Sequence, residues 1–332
     1  MPFAKAQGML ARVLGVGSAL PARRVANAEL ERRVETSDEW IRTRTGIRER
    51  RVIGKDERLI DFMEVASRRA LEASGVAPAE LDAIVVGTVS GEYAFPAAGC
   101  ELQAALGLDR ISAFDVAAAC SGFLFALSTA SAHVRAGDFR TVLVVGADAL
   151  TTMTNWGDRR TCVLFGDGAG AVVLRAHEGD RGVLASVTHA SGSMAELLSV
   201  RAGHRGGYEA EPQPPPDMCI RMRGPELFRW AVRCMGEVAL EVLERAGLSR
   251  ADVDLVVPHQ ANLRIINAVA DKLRFPREQI FVNVETTGNT SAASVPIALD
   301  EAVRAGRLRE GDVVLLVACG GGLTWAGAAL RW

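Results

Sequence analysis

The chain has 332 residues, 49% of them apolar and 23% charged, and its 38 basic and 40 acidic side chains leave a net charge of −2. A body of that length buries roughly 75% of its unfolded surface, and so ordinary a composition sets aside disorder, collagen and coiled coil. The near balance of charge offers no basic field for nucleic acid, no run reaches the ~20 apolar residues of a membrane span, and MPFAKAQGML lacks the marks of a secretory leader; the expectation is a cytoplasmic protein.

Short apolar runs alternate with longer amphipathic stretches, the α/β pattern. In chain order the expected elements are a strand over 11–16, a helix over 59–74, a strand over 83–87 and helices over 97–106 and 121–136. Strands over 142–145, 163–165 and 171–174 follow, then a helix over 225–246, a strand over 255–257, helices over 262–273 and 294–305, and a strand over 313–318. Most of these strands are apolar throughout, so the sheet they form should be covered on both faces. Gly75, Gly107, Gly137, Gly247 and Gly306 each close a helical pattern, where a left-handed cap is expected. The segment 191–219, with Gly206-Gly207 and the run 212–216 rich in proline, reads as a binding loop or lid, or else as a mobile connection.

An internal repeat organises these elements. Leu71-Glu72-Ala73-Ser74-Gly75 and the strand after Asp82 match Leu243-Glu244-Arg245-Ala246-Gly247 and the strand after Asp254, an offset of 172. The strand at 141–146 falls on 313–318 at the same offset, and Val-Arg-Ala-Gly recurs at 134–137 and 303–306, an offset of 169. The period is too long for a solenoid. Two similar α/β halves, 1–180 and 181–332, are expected.

Six cysteines stand at 100, 120, 162, 219, 234 and 319, with no CxxC pair and no Cys/His cluster of zinc-like spacing, so neither a metal site nor a disulfide framework is expected. Cys120 is the candidate nucleophile. It lies between small residues at the start of a predicted helix, where the macrodipole favours a thiolate. Adding the 169-residue offset to 120 reaches Asn289, in the turn-like Gly288-Asn289-Thr290-Ser291, which places a carboxamide at the matching corner of the second half. His259 follows an apolar strand and precedes a helix, at the kind of strand end where α/β sheets bind ligands. A thiol, an imidazole and a carboxamide suit acyl chemistry, and residue types alone leave transfer and protease-like hydrolysis both open. Gly320-Gly321-Gly322 allows close backbone approach to a substrate, makes a tight hairpin turn into 325–330, or does both. Gly15-Val16-Gly17 fails the dinucleotide fingerprint, and the glycines of 166–170 read as a turn joining two strands.

Several of these segments, taken with Thr36-Ser37-Asp38-Glu39-Trp40-Ile41 and Arg44-Thr45-Gly46-Ile47, resemble β-ketoacyl-acyl-carrier-protein synthase III and its relatives in the thiolase superfamily. They are 115–123 around Cys120, Phe165-Gly166-Asp167-Gly168-Ala169-Gly170, His259-Gln260-Ala261-Asn262, Gly288-Asn289-Thr290-Ser291 and the glycine triplet. The resemblance runs over nearly the whole chain and implies an α/β, thiolase-like duplicated five-layer αβαβα sandwich. It implies a Cys120–His259–Asn289 triad, with the backbone N–H groups of Cys120 and Gly321 as oxyanion hole. Cys120 would accept an acyl group from acyl-CoA, and a malonyl thioester on acyl carrier protein would decarboxylate and attack it, giving 3-oxoacyl-acyl carrier protein. CoA and carrier thioesters are then substrates, and no cofactor or metal is implied.

The same resemblance places Trp40 and Arg159 about the CoA adenine, Arg44 on CoA phosphate, and Asn262 beside the pantetheine arm. Arg264 would meet the carrier protein, and Phe95 would reach across a homodimer interface into the neighbour's acyl pocket. Where the family commonly has Phe before the glycine triplet this chain has Cys319, which removes bulk from the acyl pocket. The expected function is decarboxylative condensation in fatty-acid biosynthesis. The alternative is a stand-alone ketosynthase or acyltransferase of polyketide biosynthesis that uses carrier-bound or longer acyl chains. A thioester hydrolase and a silent thioester binder are the remaining classes.

Overall fold

In a computed structural model that describes residues 8–201 and 219–332, the chain folds as two main sheets of five and four strands, two small two-stranded pairs and three layers of helices. The first sheet takes its strands in the order Met9–Ala19, Asp167–Glu178, Thr141–Ala149, Ala83–Gly87 and Ser112–Val116. The second runs Leu255–Pro258, Val313–Gly320, Thr324–Arg331 and Gly182–Ala190.

The two sheets repeat one another in register. Ala83 pairs with Val142 in parallel, and Leu255 pairs with Val314 in parallel, each 172 residues further on. Asp82 accepts the N–H of Thr141 at 2.8 Å, and Asp254 accepts that of Val313 at 2.8 Å. The strand that would match Ser112–Val116 is reduced in the second sheet to an isolated parallel bridge between Val256 and Ile280.

Period-two alternation makes each strand serve two cores. Leu143, Val145 and Ala147 pack outward with Met63, Ala70 and Leu102 of the helices Leu59–Ser74 and Ala98–Ala105. Val142 and Val144 face inward, where Phe123 and Leu127 of Gly122–Ala136 and Val295 and Leu299 of Ser294–Arg304 meet Leu316 and Ala318. Leu315 and Val317 face the far side, against the helices Gly224–Arg245 and Leu263–Leu273. The result is a five-layer α/β sandwich whose two central helices lie between the sheets. Ser294–Arg304 is buried almost all round, as an enclosed helix must be.

Two expectations are corrected here. Residues 163–165 form no strand: 159–164 turn, and only Phe165 bridges, to Asn289. The glycines of 166–170 are not a strand-joining turn, because Asp167 already begins a long strand. A Cβ on Gly166 would stand 2.2 Å from the carbonyl oxygen of Thr287, and one on Gly170 2.7 Å from the backbone nitrogen of Ile297. Glycine lets this strand press directly on backbone of the second half.

The repeat register also needs correction at the corner that matters most. Short 3₁₀ turns precede both central helices, Ala119–Ser121 and Ser291–Ala293, and each opens on a non-glycine residue with positive φ, Ala119 at 46° and Ser291 at 52°. The offset there is 172, so Cys120 matches Ala292, and Asn289 stands upstream of the turn. The 169-residue offset applies only further on, past the ends of the central helices, where the left-handed Gly137 matches the left-handed Gly306.

Of the segment 191–219, Gly192–Leu197 is a 3₁₀ turn, and Leu198–Ser199 pairs antiparallel with Arg221–Met222. The expectation of a lid or loop over 202–218 lies outside the described residues.

Candidate active site

A cavity of about 580 Å³ opens where the two halves meet, and Cys120, His259 and Asn289 all line it. Cys120 arrives from the 3₁₀ turn below Gly122–Ala136. His259 extends the strand Leu255–Pro258, its N–H donating to the carbonyl of Val317 at 2.8 Å. Asn289 is clamped by its own backbone: its N–H donates to Leu164 O at 2.9 Å, and its carbonyl accepts from Gly166 N at 3.0 Å.

The side chains of this trio are oriented by serines. Ser291 N–H donates to Asn289 Oδ1 at 2.9 Å, so the amide oxygen is engaged and Nδ2 remains as the donor. His259 Nδ1 lies 2.5 Å from Ser294 Oγ, which also accepts the N–H of Gln260 at 3.2 Å. We assign the Ser294 hydroxyl proton to Nδ1, an assignment under which Nε2 carries the ring hydrogen. Burial pushes the His259 pKa down to about 3, which keeps the ring neutral at pH 7. Gln260 behind it is fully enclosed. Its Nε2 donates to Pro258 O at 2.8 Å and Phe281 O at 3.1 Å, while its Oε1 accepts from Asn283 N and Val284 N.

Cys120 departs from the thiolate expected of a helix start. Burial pushes its thiol up to about 12, outweighing the dipole of the helix beyond it. Its Sγ touches Ser291 Oγ at 3.5 Å. The glycine turn packs on the same corner. A Cβ on Gly320 would stand 2.6 Å from Cys120 N, Ser121 Oγ donates to Thr324 O at 3.2 Å, and Thr324 Oγ1 donates to Ala118 O at 2.8 Å. Gly321 lies in that turn, between Val313–Gly320 and Thr324–Arg331.

The cavity wall is apolar and its mouth is basic. Phe165, Leu198, Met222, Phe228 and Ile265 line the wall with Cys319, whereas Arg44, Arg160, Arg229 and Arg264 stand among the lining residues with Trp40 and Asn262. Arg159 does not line the cavity. Its guanidinium lies 5.3 Å from the Trp40 ring centroid, with Nη1 donating to Glu35 O at 2.8 Å, and Arg44 stands 5.7 Å from the same ring. Asn262 caps the helix Leu263–Leu273, Oδ1 accepting from Arg264 N at 2.8 Å, and its Nδ2 donates to Arg44 O at 3.2 Å. Arg264 covers Phe228 at 5.5 Å. Phe95 is apart from all of these, 86% exposed, with Tyr93 and Val89 exposed nearby in the chain.

Ser291, Ser294 and Asp148 form no part of the sequence reading. Ser291 belongs to a motif read as a turn, and Ser294 has the ordinary look of a residue at a helix start. Asp148 carries one usable signal, a carboxylate inside an otherwise apolar strand.

A family model described as 3-oxoacyl-acyl-carrier-protein synthase III matches residues 114–192, and its C-terminal counterpart matches 243–332. The chain is 50% identical over 321 residues to β-ketoacyl-acyl-carrier-protein synthase III of Xanthomonas campestris, covering 97% of this chain and 98% of that one. The crystal structure of 3-oxoacyl-acyl-carrier-protein synthase III from Aquifex aeolicus superposes with a TM-score of 0.91 at 46% identity, covering 97% of this chain and 100% of that one. The priming β-ketosynthase of the R1128 polyketide pathway superposes with a TM-score of 0.91 at 41% identity, covering 97% and 96%.

Proposed function

Because the chain belongs to the 3-oxoacyl-acyl-carrier-protein synthase III family, we propose that it is a condensing acyltransferase of fatty-acid biosynthesis that works through Cys120, His259 and Asn289. In the first half-reaction the sulfur of Cys120 attacks the carbonyl of acyl-CoA, the donor's C–S bond breaks, and CoA leaves as its thiol. The backbone N–H groups of Cys120 and Gly321 donate to the oxygen that becomes negative on the way. In the second, malonyl-acyl carrier protein loses CO₂. His259 Nε2–H and Asn289 Nδ2–H donate to the enolate oxygen, and the carbanion attacks the acyl-cysteine. The cysteine sulfur departs, and a 3-oxoacyl chain remains on the carrier.

The observation that carries this reading is the meeting of three side chains from distant parts of the chain in one cavity, with both donors already oriented. A neutral imidazole suits the role assigned to it: it donates its one ring hydrogen to a developing oxyanion without needing a second, charging proton in a buried site. The basic mouth suits a phosphate-bearing thioester. Trp40 and Arg159 take the adenine once the guanidinium shifts off the ring. Arg44 takes a phosphate, Asn262 the pantetheine arm, Cys319 and the partner's copy of Phe95 the acyl chain, and Arg264 the acidic carrier. The enzyme works as a cytoplasmic homodimer and uses no cofactor beyond its two thioester substrates. Among the described residues no helix is long and apolar enough to cross a membrane.

The test is mass spectrometry of the protein mixed with acetyl-CoA, followed by addition of malonyl-acyl carrier protein. A lasting acetyl adduct on Cys120, discharged as 3-oxoacyl-acyl carrier protein, is the expected result. Free acid formed before malonyl-acyl carrier protein is added would instead make the protein a hydrolase. Cys319 and the likeness to a priming ketosynthase favour a second reading, priming of a polyketide chain. Strong preference for longer or carrier-bound acyl donors over acetyl-CoA would select it.

A further inference from the structure

The two backbone N–H groups given to the oxyanion hole come from opposite halves of the chain, so the space between them depends on how their turns are fastened together. Cys120 stands in the 3₁₀ turn Ala119–Ser121, which opens on Ala119 with φ 46°, a strained state that persists only where its surroundings enforce it. Gly321 stands in the turn between Val313–Gly320 and Thr324–Arg331. The two turns touch: a Cβ on Gly321 would stand 3.5 Å from the Cβ of Ala119. Among the described residues neither the N–H of Cys120 nor that of Gly321 donates to another residue, which leaves both for an oxygen in the cavity.

Two hydroxyls do the fastening, one from each side. Thr324 Oγ1 lies 2.8 Å from Ala118 O and 3.1 Å from Gly321 O, so its one proton lies between a carbonyl of each turn. Ala118 O also accepts Ser121 N at 3.1 Å, the bond that closes the 3₁₀ turn, so Thr324 grips that turn at its closing atom. In the other direction the fully buried Ser121 donates from Oγ to Thr324 O at 3.2 Å. Thr324 pairs with Gly320 across the hairpin and with Ala190 of the next strand, so the strained turn is tied through it to a sheet.

We propose that Thr324 and Ser121 are positioning residues for acyl transfer, whose reciprocal hydroxyl bonds hold the N–H groups of Cys120 and Gly321 at the spacing one oxyanion needs. When the sulfur adds to an acyl carbonyl, the C–S bond forms and an electron pair moves onto the carbonyl oxygen. On collapse that pair returns, the bond to the leaving group breaks, and the thiol proton passes to that group or to solvent. Both donors must stay within about 2.7–3.1 Å of the charged oxygen through these steps. The hydroxyls act on the frame of the oxyanion hole, and the reactivity of the sulfur itself does not depend on them. The inference rests on the reading of Cys120 as the nucleophile and of these two N–H groups as its oxyanion hole.

The experiment compares two reactions of the same sulfur in the wild type, Thr324→Val, Thr324→Ser and Ser121→Ala. Acetylation of Cys120 by p-nitrophenyl acetate or acetyl-CoA, followed by rapid quenching and mass spectrometry, passes through an oxyanion. Alkylation by iodoacetamide displaces iodide at a saturated carbon and does not. Valine keeps the shape of threonine and suits a strand, so Thr324→Val removes little but the hydroxyl. Misplacement by ~1 Å costs on the order of 100-fold, so Thr324→Val should acetylate about 10- to 100-fold more slowly, with alkylation within about threefold of the wild type. Thr324→Ser keeps the hydroxyl and should regain most of the lost rate. Ser121→Ala opens the fastening from the other side and should slow acetylation with the same selectivity, which carries the test if Thr324→Val does not fold. Wild-type acetylation in Thr324→Val or in Ser121→Ala overturns the proposal. So does alkylation slowed as much as acetylation, or a serine variant as slow as the valine one. A wild type acetylated by the nitrophenyl ester but not by acetyl-CoA overturns the reading of function and leaves the comparison of variants standing; acetylation by neither overturns both.

Discussion

Replacing Gly320 by Ala should disable the first half-reaction while leaving the cavity in place. The added Cβ would stand 2.6 Å from Cys120 N, 3.0 Å from Ser121 N and 3.2 Å from Ala118 O, all backbone atoms that cannot swing aside. Ordinary contact begins at 3.4 Å, so the corner carrying Cys120 must retreat by about 0.8 Å (3.4 less 2.6) or the strand must bow. Overpacking of this kind costs about 1–3 kcal/mol of stability. Misplacement by ~1 Å costs on the order of 100-fold in rate, and loss of one oxyanion donor about 2.7–4 kcal/mol of barrier. Transfer from acetyl-CoA to Cys120, followed by rapid quenching and mass spectrometry, should therefore slow by about 100- to 1000-fold, with chemical denaturation confirming a folded protein. Gly192→Ala is the control, because nothing lies within 4 Å of its Cβ direction and it should acylate normally. A folded Gly320→Ala protein that acylates at the wild-type rate would refute the argument that this glycine keeps the nucleophile's backbone in place.

Ser294→Ala removes the partner of His259 Nδ1 and should lower condensation with malonyl-acyl carrier protein by about 10- to 100-fold, while acylation of Cys120, followed separately, stays within a few-fold of normal. His259 should also make the fold acid-sensitive. Its folded pKa of about 3 lies below the ordinary 6.5, so the unfolded chain binds the extra proton, and stability is lost as pH falls from 6.5 toward 3. That is about 2 kcal/mol between pH 7 and pH 5, and His259→Gln should remove it, as read by urea unfolding of both proteins at the two pH values. Cys319→Phe fills the wall beside Cys120 and should cut kcat/KM for longer acyl donors by about 10- to 200-fold relative to acetyl-CoA; an unchanged ratio would remove Cys319 from the acyl pocket.

The helices and central strands were legible because burial on one or both faces leaves a period in the sequence. Leu59–Ser74, with its left-handed Gly75, and Ala83–Gly87 lie where the pattern puts them. Gly182–Ala190 was not read as a strand, since it mixes buried and exposed residues unevenly. The run 163–165 is apolar because it lines a cavity, and short apolar runs do not distinguish a cavity wall from a strand. Cys120, His259 and Asn289 could be picked out because each sits at an element end. The groups that orient them could not. Ser291, Ser294 and Asp148 act across gaps of 171, 35 and 144 residues, to Cys120, His259 and Ala292, and nothing local distinguishes a serine bonded to an imidazole from one bonded to its own helix.

The division between corner and wall has a consequence for how such a protein changes over generations. The turn that carries Cys120 is locked to the helix layer shared by both sheets, where Gly87 and Gly146 leave no room for a methyl group. The apolar wall at Leu198, Met222 and Phe228 consists instead of partly buried side chains packed against the outer core. Selection can therefore resculpt which chains are accommodated, one wall residue at a time, while the reacting atoms keep their places. Diversity of substrate and constancy of chemistry are separately inherited properties of the two layers.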